Sequence, residues 1–478
     1  MPRVAELGPA GEFDFAGALA RLGSLRGLVA LDSADFGGAQ LQGVWDRDAN
    51  EAWIAFEPRV DLTGDRRARA AFDAAERVRT EGRAPGSFQG GFLGAIAYDQ
   101  GVEPDRRPGP FEDLGTRTQA RQPKLPRLPA DPLGAPRLMG GLYTNFIHLQ
   151  RGGVASLVID GAAPGAESLE ARVRAALGGP RPELVPITPV GPLQRLTDAT
   201  EHRARIEVLR ERIAAGELYQ ANLTHRSILP CQGDPLALYL RLRQTNPAPY
   251  MGFLSFAGGA VVSSSPELLF DFEPGALGGS ARTQPIKGTA PRSEDPLRDA
   301  RLAAELVRSE KDRAELAMIV DLARNDLGRW ARAGGLSVGE FPVRRSFARV
   351  HHLLCDVNAR LVPDARAADV FAALFPGGSI SGAPKLAALE AIAELEGEGR
   401  GAFTGSMGFV SSCGRSRFNI LIRTWIHRAG SDATPDCLSL SVGGGITFDS
   451  DAELEEQETQ HKARALLEAL GLDRGATR

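Results

Sequence analysis

The chain has 478 residues, 43% hydrophobic and 24% charged, with 56 Lys plus Arg against 60 Asp plus Glu and a formal net charge of −4. That length can bury a substantial core in one large or two medium domains, and the near-balanced charge excludes a general nucleic-acid or acidic-membrane binder. A few local cations would still suffice to hold a small anionic substrate. Cys231, Cys355, Cys413 and Cys437 are widely spaced without a CxxC pair, so buried thiols are expected rather than a zinc site or disulfide framework. Glu6, Glu12 and Asp14 precede any apolar run, and no stretch approaches about 18 uncharged apolar residues. A cytosolic protein with no membrane contact is expected.

Residues 1 to about 195 are rich in Gly, Pro and Arg. Pro104 to Arg137 reads as a long surface loop, and Gly179 to Gln194, with five prolines, as a second loop that separates a supporting region from a catalytic one. Asp198 and Glu201 predict a capping box opening a helix whose Ile206, Leu209 and Ile213 share a face, with Gly216 at its end. One long helix is predicted over Pro296–Leu327, another from Pro384 to Gly397, and a last one over Ala452–Leu470. Strand-like runs cover Gly259–Ser263, Phe418–Ile426 and Cys437–Val442. Helices and strands mixed without strict alternation predict an α+β architecture.

Four groups of residues carry possible chemistry. Lys287, in Pro285-Ile-Lys-Gly-Thr289, is either a surface lysine before a turn or a desolvated amine acting as nucleophile, with Glu267 as general acid. Asp312 and Glu315 lie three apart on one predicted helix, and Glu455 and Glu458 three apart on another, with Lys462 one turn on. Either pair could be a solvated charged face, with Lys311 lacing Glu315; together they could clamp one hard cation such as Mg²⁺. Gly377 to Lys385 lacks the lysine placement of a phosphate loop, yet a glycine-rich turn entering a helix offers N–H groups to an anion, as could Gly443-Gly444-Gly445. The alternative for the three glycines is a tight or bulged turn. Arg423, inside an apolar run, needs a partner that a carboxylate ligand could supply. Cys413 lacks a nucleophile elbow, so no glutamine-splitting site is visible in the chain.

In order along roughly residues 197–470, these segments resemble the chorismate-utilising enzymes, which include anthranilate, aminodeoxychorismate, isochorismate and salicylate synthases. The matching pieces are Leu218–Leu223, Ser265–Glu267, Pro285–Thr289, Ile319–Gly328, Val350–Leu353, Gly377–Lys385, Ile422–Thr424 and Gly443–Lys462. The resemblance implies large antiparallel sheets packed as a sandwich with helices outside. It also implies an N-terminal anthranilate synthase component I-like region over 1–195 and a chorismate-binding catalytic domain over 196–473. Within the family it points to the aminodeoxychorismate synthase component I branch, which carries Lys where anthranilate synthases usually have Ala at position 287. Asp32, in Ala30-Leu-Asp-Ser-Ala34, stands where anthranilate synthases have a Glu that helps bind inhibitory tryptophan.

The same resemblance implies Lys287, Glu267 and His352 as the catalytic group. It implies Glu315 and Glu458 as Mg²⁺ ligands assisted by Asp312 and Glu455. Thr289, Ser379, Arg423, Gly444, Gly445 and Lys462 are implied to bind substrate. Phe403 departs from the Tyr that relatives often carry. The implied reaction combines chorismate with ammonia, supplied by a glutamine amidotransferase subunit, on the route to para-aminobenzoate and folate.

Overall fold

The computed structural model describes residues 2–32, 51–78, 88–101, 128–347 and 349–472. Local signals set several helix ends. Asp198 accepts the Glu201 backbone N–H at 2.8 Å and starts the helix Ala199–Ala214, which buries Ile206, Leu209 and Ile213. Asp451 accepts the N–H groups of Glu453 and Leu454 and starts Ala452–Glu468. The helix after Pro384 runs Lys385–Glu396 and stops where Gly397 takes a left-handed φ of 69°.

Two expected elements are each divided in two. The helix predicted over Pro296–Leu327 is two helices, Pro296–Arg308 and Glu310–Gly328. Ser309 breaks it: its N–H closes the first helix on Glu305, and its hydroxyl accepts the Asp312 N–H at 3.2 Å to start the second. The run Phe418–Ile426 is likewise two strands, Ser416–Asn419 and Thr424–Arg428, which belong to different sheets.

Those sheets are a 13-stranded and a 9-stranded antiparallel array, and a small third sheet joins Ile286–Pro291, Val350–Leu354 and Val343–Ser346. A core containing Val29, Trp53, Leu254 and Ile426 from the larger sheet, with Leu93, Met139 and Phe409 from the smaller, lies between them. A second core packs the larger sheet against helices such as Phe15–Arg21 and Pro235–Thr245. A third packs the smaller sheet against Ala68–Glu76, Glu310–Gly328 and Ala367–Leu374. The fold is therefore an α+β sandwich with helices outside. Strands from both sides of residue 195 enter both large sheets.

Of the loop expected over Pro104–Arg137, residues 104–127 lie outside the described residues, as do Ser33 and Ala34. From Gly179 to Gln194 regular pairing is confined to Thr188–Pro189 against Gln232 and Cys231 and to Gln194 against Ile228. All four cysteines are free; Cys231 and Cys355 are buried, and Cys413 and Cys437 partly so. Among the described residues no helix is long and apolar enough to cross a membrane.

Candidate active site

Two neighbouring chain segments cross from the larger sheet to the smaller. Ser265 to Glu267 joins the strands Gly259–Ser265 and Leu268–Glu273, and Ile420 to Arg423 joins Ser416–Asn419 to Thr424–Arg428. They are hydrogen-bonded to each other: Ser265 Oγ donates to the Ile420 carbonyl at 2.5 Å, and the Ile420 N–H donates to the Glu267 carbonyl at 3.0 Å. The crossing places Glu267 and Arg423 in the same region.

Glu267 is 3% exposed, and burial raises its carboxyl to about 7. The Ser379 hydroxyl, the Ile286 backbone N–H and Lys287 oppose that rise. Lys287 stands on the first strand of the small sheet, opposite Leu353, with its Nζ 3.8 Å from Glu315 Oε2. The register shifts between Lys287 and Thr289, where Gly288 has a φ of +74°. A Cβ on Gly288 would sit 2.9 Å from Asp312 Oδ1, so this glycine supplies both the bulge and room for the acidic helix. Gly288→Ala is expected to cost about 1–3 kcal/mol of stability through the left-handed backbone alone, measurable by urea unfolding.

Beyond the bulge, Thr289 Oγ1 lies 3.1 Å from His352 Nδ1, which is also 3.0 Å from the Gly288 carbonyl. Arg423 donates to His352 Nε2 at 2.9 Å. Because Arg423 can only donate, Nε2 carries the lone pair and Nδ1 the proton, which goes to the Gly288 carbonyl. Burial, with Arg423 nearby, pushes His352 down to about 3, so the ring is neutral. Among the described residues Arg423 has no carboxylate partner, and burial lowers it to about 10. A half-buried guanidinium without a carboxylate partner at a site invites an anionic ligand. Arg423→Ala is expected to raise the KM for an anionic substrate by about 10- to 100-fold, read from initial rates, since hydrogen bonds to charged groups are worth that much.

The floor is the strand Asp436–Ile446. Gly443, Gly444 and Gly445 pair there with Thr224, Leu223 and Asn222, so they form regular ladder and not the turn that was one reading of their sequence. Their lack of a side chain matters: a Cβ on Gly445 would lie 2.6 Å from Lys287 Nζ, and one on Gly444 would lie 2.9 Å from Glu455 Oε2. Lys462 bonds the Gly443 carbonyl at 2.8 Å and Glu458 at 2.7 Å. The glycine-rich turn before Pro384 contributes Ser379; Lys385 turns away to Asp326, at 2.8 Å, and to the end of the helix Ala367–Leu374.

The four expected metal carboxylates come from two helices and surround one ammonium. Lys311 Nζ is 3.6 Å from Glu455 and 3.9 Å from Glu315, and Glu455, Glu315, Glu458 and Asp312 all act to raise it. These oxygen-only donors suit a hard cation, and Mg²⁺ takes only one or two carboxylates beside water and substrate oxygens. They are not drawn to ligand spacing. Among the described residues the trio that is so closely spaced, within 4.8 Å, is His202, His225 and Glu456. There Arg195 grips both Glu456 oxygens at 2.5 and 2.9 Å and His202 adds a 2.7 Å contact, so both carboxylate oxygens are already taken by protein groups.

A family model described as chorismate binding enzyme matches residues 43–468. The chain belongs to the chorismate binding enzyme family. It is 37% identical over 384 residues to aminodeoxychorismate synthase component 1 of Salmonella typhimurium, which covers 80% of this chain and 77% of that relative. It is 44% identical over 276 residues to anthranilate synthase component 1 of Streptomyces coelicolor, 58% of this chain and 52% of that relative. Anthranilate synthase component I from Streptococcus pneumoniae superposes with a TM-score of 0.72 at 26% identity, covering 90% of this chain and 95% of that one. The menaquinone-specific isochorismate synthase from Escherichia coli shares the fold, with a TM-score of 0.70 at 20% identity, covering 98% and 95%.

Two residues of this family member carry little signal in the sequence. Gln220 is fully buried, neither atom of its amide has a hydrogen-bond partner among the described residues, and its nitrogen would lie 2.4 Å from a Cβ on Gly445. A buried unpaired amide beside the Lys287 amine calls for a ligand or water. Its signal was the matching segment Leu218–Leu223, in which it stands third. For Lys311 the sequence suggests only surface lacing as one alternative, because i, i+4 spacing to Glu315 says nothing about a second acidic helix across the gap.

Proposed function

We propose that the chain is an aminodeoxychorismate synthase component I, which uses Lys287 to convert chorismate and ammonia to 4-amino-4-deoxychorismate. The observation that carries the reading is the Lys287 amine between Gly445 and Glu315, close to a buried Glu267 that holds a proton near neutrality. The identity over 80% of the chain to a relative of that name supports the same branch.

In this reading the Lys287 amine gives up its proton and attacks ring carbon 2, and Glu267 gives its proton to the 4-hydroxyl, which leaves as water. Ammonia then adds at carbon 4 and expels Lys287 from carbon 2, so the enolpyruvyl group is retained. Mg²⁺ held by Glu315 and Glu458, assisted by Asp312 and Glu455, would bind the ring carboxylate and draw charge from the attacked carbon. Arg423 and Lys462 hold substrate carboxylates, with Thr289, Ser379 and backbone N–H groups near Gly444 and Gly445. His352 stays neutral and steers the Arg423 guanidinium through Nε2. The ammonia comes from a glutamine amidotransferase subunit.

A second reading, anthranilate synthase component I, is favoured by the 44% identity to the Streptomyces coelicolor relative over 58% of the chain. Product identification from chorismate, ammonia and Mg²⁺ separates the two. Amination at carbon 4 is expected, and a fluorescent anthranilate product from the wild type would overturn the proposal. Glutamine should replace ammonia only when a glutaminase partner is added.

A further inference from the structure

Arg423 has a φ of +51°, a left-handed backbone that a side-chain-bearing residue seldom adopts. It occupies the last position before the chain enters the strand Thr424–Arg428, so its conformation decides where the guanidinium points. The surrounding bonds over-determine that conformation. Thr424 Oγ1 donates to the Ile422 carbonyl at 2.9 Å, spanning Arg423 from one side to the other. Its single proton is thereby used, so in the 2.9 Å contact between the Ser263 and Thr424 hydroxyls Ser263 is the donor. The Ser264 N–H adds a 3.1 Å bond to the Arg423 carbonyl. Ser263 is 0% and Thr424 1% exposed, so water cannot stand in for either hydroxyl. The far end of the same line is the Arg423–His352–Gly288 series beside Lys287.

We infer that Ser263 and Thr424 are positioning residues, whose hydroxyl relay clamps the Ile422–Thr424 turn and so aims Arg423 at a substrate carboxylate. This rests on the reading of Arg423 as a carboxylate ligand. Neither hydroxyl touches the substrate; both act through the Arg423 backbone.

Steady-state rates of the full chain with chorismate, Mg²⁺ and saturating ammonia test it. Thr424→Val keeps the branched shape and removes the donor, and is expected to raise the KM for chorismate about tenfold with a smaller change in kcat, as a misaimed clamp would. Thr424→Ser restores the hydroxyl and is expected to restore KM. In an Arg423→Ala background Thr424→Val should leave KM unchanged, because the clamp it aims is gone. If Thr424→Val does not fold, Ser263→Ala, which removes only the upstream donor, must shift KM in the same direction. The inference is overturned if Thr424→Val lowers thermal stability but leaves KM unchanged, or if its effect persists in the Arg423→Ala background. If Arg423→Ala itself leaves KM unchanged, the carboxylate reading has failed, a result distinct from failure of the relay alone.

Discussion

Lys287→Ala is expected to lower amination at ring carbon 4 by at least ~10³-fold in kcat/KM, the scale of removing a nucleophile. Among the described residues the amine's one ion pair is the 3.8 Å contact with Glu315, so its loss should leave the fold intact, and an unchanged unfolding curve provides the control. The Ala side chain opens the space beside Gly445 that the Lys287 amine fills in the wild type. Ammonia can then reach carbon 2 directly. Residual product should therefore carry nitrogen at carbon 2, visible as anthranilate fluorescence after chromatography. Undiminished carbon-4 product would remove Lys287 from the mechanism.

Glu267→Gln is expected to cost about 10²- to 10⁴-fold, the range for losing a positioned general acid. Its pH behaviour follows from the raised carboxyl. Burial lifts Glu267 to about 7, and the protonated form is the one that gives a proton to the departing hydroxyl. The wild-type rate should hence be highest below that value and fall about tenfold per unit above it as Glu267 ionises. In the Gln variant, which cannot titrate, this alkaline limb should vanish while a slow rate remains. A limb that persists unchanged in the variant would assign it to another group. Neutral His352, held near 3, cannot produce it.

What was legible in the sequence was mostly local. Asp198 and Gly397 mark helix ends by hydrogen bonding and backbone freedom within a few residues, and both ends lie where the pattern puts them. Ser309 did not stand out, because the charge pattern runs on through it and only the cap bond to Asp312 shows the break. The run Phe418–Ile426 hid more. It is mostly apolar from end to end, but its halves pair with different strands far away in sequence, and the residues between them cross from sheet to sheet. Arg423 can be picked out as a charge needing a partner, whereas its left-handed backbone and the Ser263–Thr424 relay depend on a neighbour 161 positions away in sequence, held by a 2.9 Å contact between the two hydroxyls. The glycines at 443–445 were legible as important and illegible as strand, since their reason is the approach of Lys287, Gln220 and Glu455 from three other elements.

The step that sets this mechanism apart from direct amination is a covalent bond between Lys287 Nζ and ring carbon 2 during turnover. Mixing the protein with chorismate and Mg²⁺ without ammonia, quenching, and mapping the digest by mass spectrometry tests it directly. A peptide containing Lys287 and heavier by chorismate less one water is expected, absent in Lys287→Ala and discharged when ammonia is added before the quench. An unmodified Lys287 peptide under conditions where ammonia yields the carbon-4 product would contradict it.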